Sequence, residues 1–236
     1  MQTPENGQFA LTEATPSVPW TVGETWLGLA LMVLVVGVMA VLTALLPSDG
    51  PVRSLALVLM EPFLVLPVAI VLGRKRTSWR HLGFRKFPLD MVALSLGILL
   101  LIYPLILLHN LVLVWLGVQT QGDSITELYQ ALGTPLPFLL ATVILAPLSE
   151  EIFFRGFLFP GLRQKHGWVK AMLISSAIFA LFHLQPAAFI PTFLLGCVLA
   201  YAFQRSSSIW PGVILHFLIN GLALCLTVIV VQMGWF

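Results

Sequence analysis

Charge is scarce in this chain. Of 236 residues only 9% are Asp, Glu, Lys or Arg, against about 25% in soluble globular domains, and 58% are hydrophobic, against about 45–50%. A soluble fold of this length cannot hide so much apolar surface, which excludes that class. Twelve Lys and Arg against ten Asp and Glu leave +2, too slight and too interrupted by apolar runs to form a nucleic-acid surface. Cysteine is almost absent: Cys197 and Cys225 both lie in apolar runs, where they act as small hydrophobes and carry no redox information. The first 25 residues hold Glu5, Glu13 and Glu24 but no Lys or Arg, so they lack the positive start of a secretory signal and read as uncleaved. Pro4, Pro16 and Pro19 discourage helix there. No internal repeat stands out, and no polar stretch is long enough for a second core. The expected organisation is a polar tail over 1–25 and a single membrane domain over 26–236.

What is present is a series of windows of about 20 apolar residues, the length that crosses a bilayer as helix. Trp26–Leu46, Ser54–Gly73, Met91–Val118, Leu136–Leu162, Trp168–Leu184, Ala187–Gln204 and Ile209–Trp235 predict an all-α polytopic bundle of about seven spans. The fifth and sixth windows are short and separated only by Gln185 and Pro186, which predicts a tight hairpin or incomplete crossings. Basic loops stay cytoplasmic. Arg74, Lys75, Arg76, Arg80, Arg85 and Lys86 fall in one loop, with Arg155, Arg163, Lys165, Lys170 and Arg205 near later turns on the same side and Arg53 the exception. The N-terminus is therefore expected in the cytoplasm and the connection Gln119–Thr134, acidic and without a base, outside. Trp115, Trp168, Trp210 and Trp235 sit near span ends as interfacial anchors.

The informative residues are those that do not belong in lipid. Glu150, Glu151 and Arg155 fall within the fourth window, where each central charge costs about 2.5–3.5 kcal/mol unless partnered. Glu151 and Arg155, four apart, share a helix face and can neutralise each other, whereas Glu150 points about 100° away and is left free. Phe179 and His183 on the fifth span, and His216 and Asn220 on the last, repeat the same spacing. Helical rise puts His216 about 10 Å and Asn220 about 15 Å from the cytoplasmic start of the last span, and Glu150 at about 10 Å; His183 counts to about 20 Å, which needs a low start or a strong tilt of its helix. The expected site opens toward the cytoplasm. His109 and Asn110, on different faces, suit interhelical hydrogen bonds. Glu61 is expected to pair with Arg53. Ser176 and Ala180 form a small-residue face for close packing. Ser149 has no triad context.

Glu150-Glu151-x-x-x-Arg155, Phe179-x-x-x-His183 and His216-x-x-x-Asn220, in this order, resemble the three motifs of the CAAX protease and bacteriocin-processing family (CPBP, or Abi), which includes the type II CAAX prenyl endopeptidase. The resemblance covers 136–223. It implies an intramembrane endopeptidase of the glutamate type, in which Glu150 and His183 activate water, His216 and Asn220 hold the oxyanion, and Glu151 and Arg155, with Phe179 of the second motif, support them. A carboxylate in a partly dry cavity suits proton abstraction, and imidazole and amide donors suit a developing oxyanion. The partners so implied are a peptide or membrane-protein substrate and the bilayer, with no nucleic acid and no cofactor, and the family's breadth points to a bacterial plasma membrane. Three alternatives stay open. Glu150, His183 and His216 could supply three ligands to zinc, although no His-Glu-x-x-His helix is present. The chain could be a non-catalytic binding or protective factor on the same scaffold. It could be a transporter, since acids and histidines in spans also mark ion paths.

Overall fold

A computed structural model describes residues 17–46, 52, 56, 60–132 and 139–233. Arg53, the expected partner of Glu61, and Trp235 lie outside the described residues. Among the described residues the α-helices bounded in chain order are α1 Val22–Ala44, α2 Val65–Lys75, α3 Asp90–Trp115, α4 Gln121–Leu132, α5 Ala146–Glu150, α6 Phe159–Phe182, α7 Phe189–Ser206 and α8 Trp210–Gln232. Short 3₁₀ turns precede α2, α3 and α7, and no strand occurs among the described residues. The protein is an all-α, multi-pass membrane protein.

Helix α1 begins at Val22, not Trp26, because Thr21 and Glu24 form a reciprocal cap: Thr21 Oγ1 accepts from the Glu24 amide and Glu24 Oε2 accepts from the Thr21 amide. Trp20, expected in the polar tail, is 1% exposed. Its ring stacks on Phe157 at 5.2 Å, and Gln164 donates to its carbonyl at 2.7 Å. An indole of this size leaves water wherever a pocket accepts it, so the tail's last residues join the core.

Among the described residues, four helical stretches are long and apolar enough to cross a membrane, Val22–Ala44, Asp90–Trp115, Pro186–Ser206 and Trp210–Ile229, where seven windows were expected along the chain. The fourth and fifth windows differ because they merge into one helical run. Residues Leu140–Leu145 and Glu151–Leu158 are π-helical and flank α5, and α6 continues to Phe182 across a break at Gly167, where φ is 74°. That left-handed region favours glycine. Every residue from Glu151 to Leu158 is buried, whereas α1 and α3 present mostly exposed leucine and valine. The polar run is the bundle's interior and the uniformly apolar helices are its lipid-facing shell.

Polar contacts define the two ends of the bundle. At one end Lys75 pairs with Glu24 at 3.0 Å, the Ile209 amide donates to the Gly83 carbonyl, Ser208 Oγ donates to the Arg85 carbonyl, and Arg163 donates to Gln204. This end gathers the basic loops. At the other end Gln185 donates to the Thr120 carbonyl, and His109 Nε2 donates to the Ala187 carbonyl at 3.0 Å, the interhelical role expected of it. The connection 119–134 holds a helix not anticipated from its composition, α4, whose start is fixed by Asp123 accepting from the Thr120 amide. Between α6 and α7, a Cβ added at Gly196 would stand 2.9 Å from Ser176 Cβ, so the Ser176 and Ala180 face permits the expected close approach.

Candidate active site

Four elements meet near the middle of the bundle. Residue Glu150 ends α5, Phe179 and His183 lie at the end of α6, and His216 and Asn220 lie on α8. Helix α7 backs them through the Gly196 carbonyl. The widened π-turns on either side of α5 have i to i−5 hydrogen bonds, a local irregularity common at functional sites.

The deepest layer is an ion pair. Arg155 Nη1 donates to Glu151 Oε1 at 2.7 Å, with the two side chains 2% and 0% exposed. Nη2 reaches the Gly196 carbonyl at 3.3 Å, and the guanidinium carbon lies 4.3 Å over the Phe179 ring. A buried charge pair needs such additional partners to offset its desolvation. Helix α8 comes close enough that a Cβ on Gly212 would collide with the Glu151 carboxylate.

Above this pair stands His216, 3% exposed, with Nε2 3.6 Å from Glu150 Oε2 and Nδ1 3.6 Å from Glu151 Oε1. Both separations are ion-pair distances too long for hydrogen bonds. Glu150 Oε2, Glu151 Oε2 and His216 Nδ1 are buried without a hydrogen-bond partner among the described residues. Phe179 spaces the imidazoles, its ring centroid 4.9 Å from His183 and 5.9 Å from His216. His183 Nδ1 donates to the Phe179 carbonyl at 3.0 Å, which leaves Nε2 as the ring nitrogen available to a ligand. Asn220 donates one amide hydrogen to the Thr142 carbonyl at 2.8 Å and retains a second.

Glu150, His183, His216 and Asn220 line one cavity of about 690 Å³, together with Thr142 and leucines of α3, α7 and α8. All four expected site residues are thus brought together, and Glu151, Arg155 and Phe179 form the layer behind them. Among the described residues, the expected opening toward the basic loops is not found. On that side lie Leu82, Ile152, Phe153, Phe154 and Ile209, packed in the main core, while the hollow runs the other way toward Gln121 and Ile125 of α4.

Sequence reasoning missed two contributors. Glu61, expected to face Arg53, sits at the start of a 3₁₀ turn that packs on α5, near enough to act electrostatically on Glu150. Gly212 carries no local signal, since its significance lies in what α8 approaches. As to zinc, no group of three or more His, Cys, Asp or Glu side chains among the described residues is arranged to hold a metal ion, so the trio of Glu150, His183 and His216 does not fit one in this geometry.

Residues 132–222 match the model of the type II CAAX prenyl endopeptidase Rce1-like family. The chain is also similar to "Putative membrane peptidase YdiL" of Bacillus subtilis (strain 168), with 30% identity over 98 residues. That likeness covers 42% of this chain and 39% of the relative. No solved structure matches the chain.

Proposed function

We propose that the protein is an intramembrane endopeptidase that hydrolyses a peptide bond in a membrane-associated substrate without a metal. The observation that carries this reading is the convergence of Glu150, His183, His216 and Asn220 on one cavity. The family match over 132–222 and the name of the similar protein support the same reaction class. In it, Glu150 takes a proton from a water molecule that His183 Nε2 orients, and the hydroxide attacks the scissile carbonyl carbon. The oxyanion accepts hydrogen bonds from His216 and from the second amide hydrogen of Asn220, the contribution that dominates many acyl transfers. Collapse breaks the C–N bond, and Glu150 returns its proton to the leaving amine. Arg155 and Glu151 carry no proton in this scheme; they fix Phe179 and hence both imidazoles.

The binding-factor reading differs in needing no water activation, and it predicts full cellular activity after Glu150→Ala. The test compares membrane peptides in cells carrying the wild type, Glu150→Gln and His183→Ala at equal expression. A peptide processed by the wild type and by neither variant is the expected result. Processing retained in either variant removes these roles.

A further inference from the structure

We propose that the loop joining α2 to α3 is a binding site for the headgroups of anionic phospholipids, with Arg76, Arg80, Arg85 and Lys86 as the cations that hold them. The loop is separate from the cavity of Glu150, and the proposal does not rest on the protease reading.

The sequence sets the charge. From 62 to 89 the chain has six Lys and Arg and no Asp or Glu. Among the described residues Lys75 pairs with Glu24 at 3.0 Å, whereas Arg76, Arg80, Arg85 and Lys86 have no ion-pair partner and are all exposed. Four like charges held in one short loop repel one another, and an anion bound among them relieves that repulsion.

Tertiary contacts fix the loop. The Gly83 carbonyl accepts from the Ile209 amide at 3.1 Å and the Arg85 carbonyl accepts from Ser208 Oγ at 2.7 Å, which ties the loop to the start of α8. Gly83 has a φ of 90°, and a Cβ there would stand 2.7 Å from the Phe203 ring, so both backbone and space call for glycine. Leu82 is fully buried, and its carbonyl oxygen would lie 2.8 Å from a Cβ on Gly156. Nearer the surface, Ser78 Oγ accepts from the Arg80 amide and His81 Nδ1 donates to the Ser78 carbonyl. The backbone that carries the cations is thus ordered before a ligand arrives, which lowers the entropy cost of binding.

The level of the loop selects the ligand. It lies beside the starts of α3 and α8, both long and apolar enough to cross a membrane, and so stands where two spans meet water. Trp79, next to Arg80, and Trp210, whose ring meets Phe84 edge-on at 6.0 Å, are both more than a third exposed. Such indoles settle at the depth of lipid headgroups. Cations and indoles at one level match a phosphodiester carried on acyl chains, whereas a soluble anion makes no use of the indoles. Each basic side chain at a membrane surface adds about fivefold to the affinity for anionic lipid.

The test titrates purified full-length protein in detergent with dioleoylphosphatidylglycerol and with dioleoylphosphatidylcholine. Bound lipid is counted by native mass spectrometry, and thermal unfolding is followed in parallel. The wild type should bind the anionic lipid at least about tenfold more tightly and melt at a higher temperature in its presence. Arg80→Gln with Lys86→Gln should weaken the anionic lipid about twentyfold and leave phosphatidylcholine unchanged. Adding Arg76→Gln and Arg85→Gln should abolish the preference. Lys165→Gln with Lys170→Gln, which removes as much charge as the first pair from exposed positions outside the loop, should retain it. Equal binding of the two lipids by the wild type, or an equal loss in the Lys165 and Lys170 variant, overturns the proposal. Displacement of phosphatidylglycerol by an equal concentration of glycerol 3-phosphate or of an acidic peptide also overturns it, because the cations then serve a soluble anion. The double variant of Arg80 and Lys86 decides the matter if the fourfold variant does not fold. Cleavage is not measured, so the outcome is independent of whether Glu150→Gln abolishes it.

Discussion

The guanidinium carbon of Arg155 lies over Phe179, 4.3 Å from the ring centroid, and the same ring meets His183 and His216 at interplanar angles of 77° and 84°. The cation of the first motif thus sets the position of both imidazoles through one aromatic side chain. Phe179→Leu keeps most of the volume but loses the ring, and about 1–3 kcal/mol of stability should go with it. Both histidines lose their spacer, so kcat should fall while KM changes little. Thermal unfolding in detergent, together with cleavage kinetics, reads the two effects separately.

Glu150 and Glu151 are neighbours whose replacement should have opposite signatures. Glu151→Gln leaves Arg155 buried without its counter-charge, which costs about 3–5 kcal/mol. Glu150 Oε2 has no hydrogen-bond partner among the described residues, so Glu150→Gln should stay within about 1 kcal/mol of the wild-type stability while losing cleavage. A melt of the purified variants distinguishes them; equal destabilisation would contradict the assigned positions.

Gly212 is the point where α8 meets the buried ion pair. Gly212→Ala drives a methyl group into the Glu151 carboxylate and should lower both folded yield and cleavage. Gly97 on α3 has open space at the equivalent position. Gly97→Ala should be neutral or add up to about 1 kcal/mol from helix propensity. Yield of monodisperse protein after extraction is the measurement, and a harmless Gly212→Ala would refute the close approach.

A strong chelator should leave the cleavage activity of purified protein largely unchanged. Loss of activity that zinc specifically restores would instead make Glu150, His183 and His216 ligands, after a rearrangement from the geometry described.

The local patterns were legible where physical chemistry acts over a few residues. The i, i+4 spacing of Glu151 and Arg155 indicated their pairing, and the distances of 2.7 Å and 3.0 Å at Arg155 and His183 follow from neighbours on one helical face. The start of α1 was misplaced because apolar windows register hydrophobicity and not caps, although Thr21 and Glu24 carried that signal. Trp20 was misread for a similar reason: a tail of polar residues and prolines hides one indole whose pocket is made by Phe157, Gly161 and Gln164, far away in sequence. Where charges interrupt the apolar windows, as over 146–158, hydropathy cannot tell a helix buried among helices from one facing lipid.

Composition and spacing alone determined that the chain is a helical membrane protein, that its charged loops share one side, and that Glu150, His183, His216 and Asn220 are the residues to watch. Those properties depend on solvent transfer and helix period, which every residue carries with it. Tertiary structure decided which way the hollow faces, that Glu61 and Gly212 approach the acidic pair, and that Phe179 couples Arg155 to the histidines. These depend on how distant segments pack, and a cavity is the space that packing leaves unfilled.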